Sequence, residues 1–200
     1  MKALKHIPIL VFCLLLLQCG PDPTISETSD SENATLRQFQ QLDGRHQLHI
    51  TDNDEPGEKL LVCATLVNKA NKDYLPNQKV RFYHTNNEGD YEPVDNGDES
   101  SARLSGDAYT NMEGRIYIET ILPGDYGSSE NNRHIHTSVF GAKPEAYDIN
   151  FNQYTGTMGR NFINGSDQHF LADLKRAKDS TLVCFITIEV KNPNTDSASD

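Results

Sequence analysis

The sequence predicts an all-β protein, an antiparallel β-sandwich with at most one short helix. Three observations carry this reading. From residue 59 onward apolar residues recur with period two, Val, Ile, Thr, Tyr and Phe dominate those runs, and Gly, Pro and Asn punctuate the gaps between them. Short, regularly spaced strands with such turns suit two packed sheets of the immunoglobulin or prealbumin type.

Taken in order, the strands expected are Lys59–Val67, Lys79–Thr85, Gly114–Ile121, His134–Val139 and Thr181–Val190. Asn86-Asn87-Glu88-Gly89-Asp90 reads as a turn after the second strand, and Pro123-Gly124 as a type II turn after the third. The one helix expected covers Gln168–Lys178, where Phe170, Leu171, Leu174 and Ala177 share a face and Ser166 or Asp167 stands ready as a cap.

Residues 1–18 carry Lys2 and Lys5 ahead of an apolar stretch from Ile7 to Leu17, too short for a comfortable membrane span of about 20 residues. They read as a secretion signal. Leu16-Leu17-Gln18-Cys19-Gly20 resembles the lipobox of bacterial lipoproteins, which implies acylation at Cys19. The expected location is therefore outside the cytoplasm, anchored to a bacterial membrane and facing the periplasm or the exterior. Residues 19–35 are polar and acidic and read as a flexible tether, 36–191 as the sandwich, and 192–200 as a disordered tail.

The chain has 200 residues and a formal charge of -11, from 18 Lys and Arg against 29 Asp and Glu. An acidic balance excludes nucleic acid as the natural partner, because phosphate binding needs a basic face. Mean hydropathy of -0.61 excludes a polytopic membrane protein. Cys63 and Cys184 both lie in apolar runs of the folded part. In an oxidising compartment a disulfide between them and a pair of buried free thiols are both open.

His134 and His136 flank Ile135 in a strand, so both imidazoles project from one face. Imidazole suits iron, copper and zinc. Tyr126 lies eight residues upstream, after the Leu122-Pro123-Gly124-Asp125 turn, and Tyr91 follows Gly89-Asp90. The ordered set resembles the intradiol ring-cleavage dioxygenases. It comprises the LVCATLV strand from Leu61, the segment Leu75 to His84, Glu88-Gly89-Asp90-Tyr91, Thr110 to Tyr117, Thr120 to Tyr126, and His134-Ile135-His136.

That resemblance implies a mononuclear non-haem Fe(III) held by Tyr91, Tyr126, His134 and His136. It implies an aromatic diol and O2 as reactants, with the ring opened between the two hydroxylated carbons and Tyr126 accepting a substrate proton. It places Asn131 where family members carry an arginine; Arg133, next to His134, is the catalytic candidate left, although on a strand its side chain points away from the two imidazoles unless a bulge re-aims it. The other function the residues allow is an exported binding or adhesion module without a working metal site. Oligomeric state is open in the sequence.

Overall fold

The computed structural model describes residues 24–193 other than 96, 128 and 129. The secretion signal, Cys19 and most of the expected tail lie outside the described residues. The chain forms β1 (Ser26–Glu27), α1 (Asp30–Gln40), β2 (Gln47–His49), β3 (Lys59–Asn68), β4 (Lys79–His84), β5 (Leu104–Tyr109), β6 (Arg115–Ile121) and β7 (His134–Val139). β8 (Ala146–Phe151), α2 (Gly156–Asn164), β9 (His169–Ala172), β10 (Lys175–Arg176) and β11 (Leu182–Val190) complete it. All five strands expected from the sequence are present, as β3, β4, β6, β7 and β11.

Two sheets pack face to face, in the orders β1-β10-β11-β3-β6-β2 and β5-β4-β7-β8-β9. The alternation written in the sequence fills the space between them. Leu60, Val62, Ala64 and Leu66 of β3 meet Val80 and Phe82 of β4 and Ile135 and Val139 of β7. A fully buried Leu, Val or Phe side chain is worth about 1.5–3 kcal/mol, so this layer is the main source of stability.

The sheets are mixed rather than antiparallel. β11 runs parallel to β3 over Leu182–Val190, β2 parallel to β6, β9 parallel to β8, and β1 parallel to β10. Hydrophobic alternation sets which face of a strand is buried; it does not name the neighbour or its direction.

The helix expected at Gln168–Lys178 is absent, and strands β9 and β10 occupy that stretch. Ala172 and Leu174 enter the inter-sheet core, while Ser166 Oγ accepts from the backbone of Gln168 and His169 instead of starting a helix. Edge pairing with β8 outcompetes a weak helical face.

The segment expected as a tether is structured from Ser26 onward. Ser29 and Glu32 form a reciprocal capping box on α1, which satisfies two orphan backbone donors. Leu36 and Phe39 of α1 then cover Leu61, Cys63, Tyr117 and Val183 on the outer face of the larger sheet.

This second layer also decides the cysteine question. Cys63 faces α1, whereas Cys184 faces the inter-sheet core. The two thiols lie on opposite faces of one sheet and both are free. Burial pushes the Cys184 thiol up to about 12, so it stays protonated and inert.

Candidate metal centre

The site sits at one end of the β4–β7–β8–β9 face. β7 supplies His134 and His136 from alternate positions on its solvent-side row, and the buried Ile135 and Thr137 between and beyond them face inward. Tyr91 arrives on the loop after β4, and Tyr126 on the loop after β6.

Two glycines let those loops meet. Gly89 has φ +94°, and a Cβ there would stand 2.1 Å from the Asp125 carbonyl oxygen. A Cβ on Gly124 would stand 2.4 Å from Gly89 N and 2.6 Å from Asn87 O. The seam is closed by the Gly124 N–H donating to Asn86 O at 2.8 Å and by Thr85 Oγ1 donating to Gly124 O at 3.1 Å. Only backbones without side chains approach this closely.

Tyr91, His134 and His136 converge, and the Tyr126 ring packs beside them with its hydroxyl on Glu99. Tyr91 Oη lies 2.8 Å from His136 Nε2, and His136 Nε2 lies 3.0 Å from His134 Nε2. The Tyr91 and Tyr126 rings are 5.2 Å apart between centroids, and those of Tyr126 and His134 are 6.5 Å apart. Tyr91 is 6% exposed and Tyr126 39%, so the centre opens to solvent on the Tyr126 side.

Hydrogen bonding fixes both imidazoles. His134 Nδ1 donates to the Asn132 carbonyl at 3.0 Å, and His136 Nδ1 donates to Asp148 Oδ1 at 2.7 Å. A carbonyl and a carboxylate accept only, so in the neutral rings both protons sit on Nδ1. The two Nε2 lone pairs are left head to head, with Tyr91 Oη donating to one of them. Such an arrangement calls for a cation between the nitrogens.

The spacing suits one. Metal–nitrogen bonds of about 2.0–2.1 Å separate neighbouring ligands at right angles by about 2.9 Å. Two imidazoles with two potential phenolates make a hard, anionic donor set that fits a ferric ion. Among the described residues no group of three or more His, Cys, Asp or Glu could hold a metal, so an ion held here would draw on the phenols as well as the two imidazoles.

Titration follows the same geometry. Burial raises the Tyr91 pKa, and the nearby Glu99 charge adds to it. Tyr126 Oη donates to Glu99 Oε1 at 2.7 Å, and that bond raises its pKa as well. Neither phenol ionises at neutral pH without a strong cation beside it. Burial lowers the His134 pKa and the neighbouring His136 lowers it further, keeping the ring neutral and able to ligate. Burial works to raise Asp148, but its hydrogen bond with His136 and the surrounding imidazoles outweigh this and hold the carboxyl below its usual range.

Arg133 is not brought to the centre. Its Nε lies 3.4 Å from Asp125 Oδ2, and its guanidinium lies over the Tyr154 ring at 4.4 Å. A residue next to His134 in a strand points to the other side, and here two partners hold it there. Asn131, with φ +63°, lines a cleft of about 210 Å³ beside His134.

Sequence reasoning missed Asp148, Glu99 and His169. The strand of the first was readable, since Ala146-Tyr147-Asp148-Ile149-Asn150-Phe151 alternates as a strand does, but its place beside His136 was not. Glu99 opens a one-turn 3-10 helix within the long connection between β4 and β5, and His169 lies in the stretch expected as a helix, so neither carried a signal.

Fold and site together define a β-sandwich carrying a two-tyrosine, two-histidine cluster at the end of one sheet. The profile of a family described as "Dioxygenase" matches residues 38–195. The chain belongs to that family, the intradiol ring-cleavage dioxygenases. No curated protein matches the sequence.

Among solved structures, the dioxygenase domain of a dioxygenase–carbohydrate-binding fusion from Streptomyces sp. SirexAA-E is similar, at 18% identity and TM-score 0.52 over 72% of this chain and 86% of that one. An intradiol ring-cleavage dioxygenase from Tetranychus urticae matches at 19% identity and TM-score 0.53, over 72% of this chain and 85% of its own. Catechol 1,2-dioxygenase from Pseudomonas arvilla C-1 matches at 18% and 0.53, over 78% of this chain but 59% of its own. Likeness at these identities shows the fold.

Proposed function

We propose that the protein is a ferric-iron dioxygenase that takes a catechol-type diol and opens the ring between its two hydroxylated carbons with O2. The observation that carries this reading is the pair of Nε2 lone pairs facing each other 3.0 Å apart, with Tyr91 Oη beside them. Tyr91, Tyr126, His134 and His136 would hold the iron. When bound, ferric iron supplies Lewis-acid polarisation of a diol and keeps two phenols ionised.

The chain's own groups do the rest. Asp148 keeps the His136 proton on Nδ1 and so aims Nε2 at the centre. The Asn132 carbonyl does the same for His134. Tyr126, half-exposed and within reach of Glu99, would as a phenolate be the group to take a hydroxyl proton from the diol, becoming the neutral phenol. Glu99 then receives the phenol O–H as a hydrogen bond and keeps it turned aside.

The visible spectrum of the purified protein with ferric iron tests this reading. Tyrosinate charge transfer gives a red to burgundy colour, and Tyr126→Phe shifts or removes part of that band. A protein that takes up no ferric iron and stays colourless overturns it.

We further propose that acylated Cys19 anchors the protein to a membrane outside the cytoplasm. Cys19 precedes Ser26 of β1 by seven residues, a reach of at most roughly 25 Å, so the folded part stands close to the bilayer. Cys19→Ala moves the protein from the membrane to the soluble fraction. Unchanged membrane partition in that variant would refute the anchor.

A further inference from the structure

The strands run between two unlike ends. At the end away from the metal centre, the distal end, lie the β3–β4 connection (69–78), the β5–β6 turn (110–114), the β7–β8 turn (140–145) and the chain after β11 (191–193). Hydrogen bonds tie them together. Thr110 Oγ1 accepts from the Gln78 N–H at 2.8 Å, Gln78 Nε2 donates to Phe140 O at 2.8 Å, and the Lys143 N–H donates to Asn192 O at 3.2 Å.

Charge separates the ends. Around the metal centre, segments 50–58, 85–103, 122–133, 152–155 and 173–181 hold fourteen Asp and Glu against five Lys and Arg. The distal connections, with 41–46 and 165–168, hold five of each, and four of their five cations are the lysines Lys69, Lys72, Lys143 and Lys191. Exposed apolar side chains stand among them. Tyr74 is 53% exposed, Met112 80% and Phe140 38%, one on each of three tied connections, and Lys79 Nζ lies over the Phe140 ring at 4.5 Å. Aromatic rings sit at the headgroup level of a bilayer, and lysine stems lie along apolar surface while the ammonium stays with water and phosphate. At the other end Val94 is 82% exposed, but in a loop that also carries Glu92 and Asp95.

The anchor points to the same end. Leu182 is level with Leu60 and Thr120, beside the loop that carries Tyr126. Ser26 and Glu27 are level with Val183 and Leu182, so β1 runs toward the metal centre and the chain ahead of Ser26 comes from the distal side. From the level of Val183 to that of Val190 is about 23 Å at 3.3 Å per residue. The seven residues from Cys19 to Ser26 span at most roughly 25 Å, enough to put an acyl chain level with the distal end.

We infer that the distal end, through Tyr74, Met112 and Phe140, docks on the surface of an anionic phospholipid bilayer, so that the metal centre faces away from the membrane and takes its diol from the aqueous phase. This orientation rests on the Cys19 anchor proposed above. It also places the acidic loops roughly 30 Å from the lipid, the length of a nine-residue strand, several Debye lengths of about 8 Å away from a like-charged surface.

The chain contains no tryptophan, so Met112→Trp and Val94→Trp each install a single reporter, one per end. The acylated full-chain protein is reconstituted on vesicles of phosphatidylethanolamine and phosphatidylglycerol, with plain or brominated acyl chains. Emission from Met112→Trp is expected to move to shorter wavelength on the vesicles and to lose intensity with the brominated lipid, while Val94→Trp keeps its aqueous emission with both. Adding Tyr74→Ser and Phe140→Ser to Met112→Trp lowers the quenching, although the protein still floats with the vesicles. Tyr74→Trp replaces the first reporter should Met112→Trp not fold. A distal reporter with unaltered emission on floated protein, quenching at Val94→Trp, or quenching undiminished by the two serines overturns the docking surface and leaves the anchor standing. A protein that does not float overturns both.

Discussion

Asp148 shows what one side chain decides at this centre. Its Oδ1 takes the Nδ1 proton of His136 at 2.7 Å and its Oδ2 faces His169 at 3.3 Å. Without it, His136 is free to adopt the other tautomer and present N–H where a lone pair is needed. Loss of such an outer partner typically costs 10–100-fold in metal affinity. Asp148→Leu is therefore expected to weaken ferric binding by about that factor in a chelator competition titration, and Asp148→Asn, which keeps an acceptor, to recover part of it. Equal affinities in all three proteins would remove Asp148 from the site. The two candidate histidines were legible in the sequence because His134-Ile135-His136 fixes two side chains on one face by itself, whereas Tyr91 and Tyr126 entered through the family resemblance. Asp148 was not, because its meaning depends on β8 lying beside β7, and alternation does not report a neighbour.

At the scale of elements, the site depends on a seam between two loops that carry no ligand at the point of contact. Gly89→Ala combines a left-handed φ of +94° with a Cβ only 2.1 Å from a backbone oxygen, so the post-β4 loop must move and take Tyr91 with it. Strain of this kind costs about 1–3 kcal/mol before the clash is counted. The expected outcome is a lower melting temperature together with loss of the iron colour, and Gly124→Ala on the facing loop should reproduce both. A wild-type melt with full iron loading would show that the loops do not need the close approach. The turn at Asn86–Asp90 was readable from its Asn and Gly content; that it abuts Gly124 was not, since the contact joins residues 35 positions apart. Helix α1 teaches the same lesson from the other side. Ser29-x-x-Glu32 is a capping signature, yet the acidic polar stretch around it reads as a tether until Leu36 and Phe39 are seen covering β3. Ser29→Ala should cost about 1 kcal/mol, a fall of roughly 2–4 °C in melting temperature.

For the molecule as a whole, His84 joins the two sheets through a polar contact inside an otherwise apolar layer. It ends β4 in the smaller sheet, donates from Nδ1 to the Thr85 carbonyl at 2.7 Å, and so accepts at Nε2 from Thr120 Oγ1 of β6 in the larger sheet, again at 2.7 Å. Burial pushes its pKa down to about 4, against about 6.5 in an unfolded chain. The folded state thus holds the ring neutral while the unfolded state gains a proton as pH falls below about 6.5. Stability from this group is complete above the unfolded value and drains away as pH drops toward the folded one, by roughly 3 kcal/mol in total. Carboxylates held low in the fold without coupling to His84, such as Glu32 and Asp107, begin to lose their contribution only below about pH 5. Their part is common to wild type and variant. Urea unfolding of wild type and His84→Gln at pH 7 and pH 4.5 isolates the histidine, because Gln keeps a donor and an acceptor but does not titrate. The wild type should lose roughly 2–3 kcal/mol more than the variant between those two pH values. Parallel losses in the two proteins would mean that the sheets are not pinned through a neutral His84, and that protonation there is tolerated without parting β4 from β6.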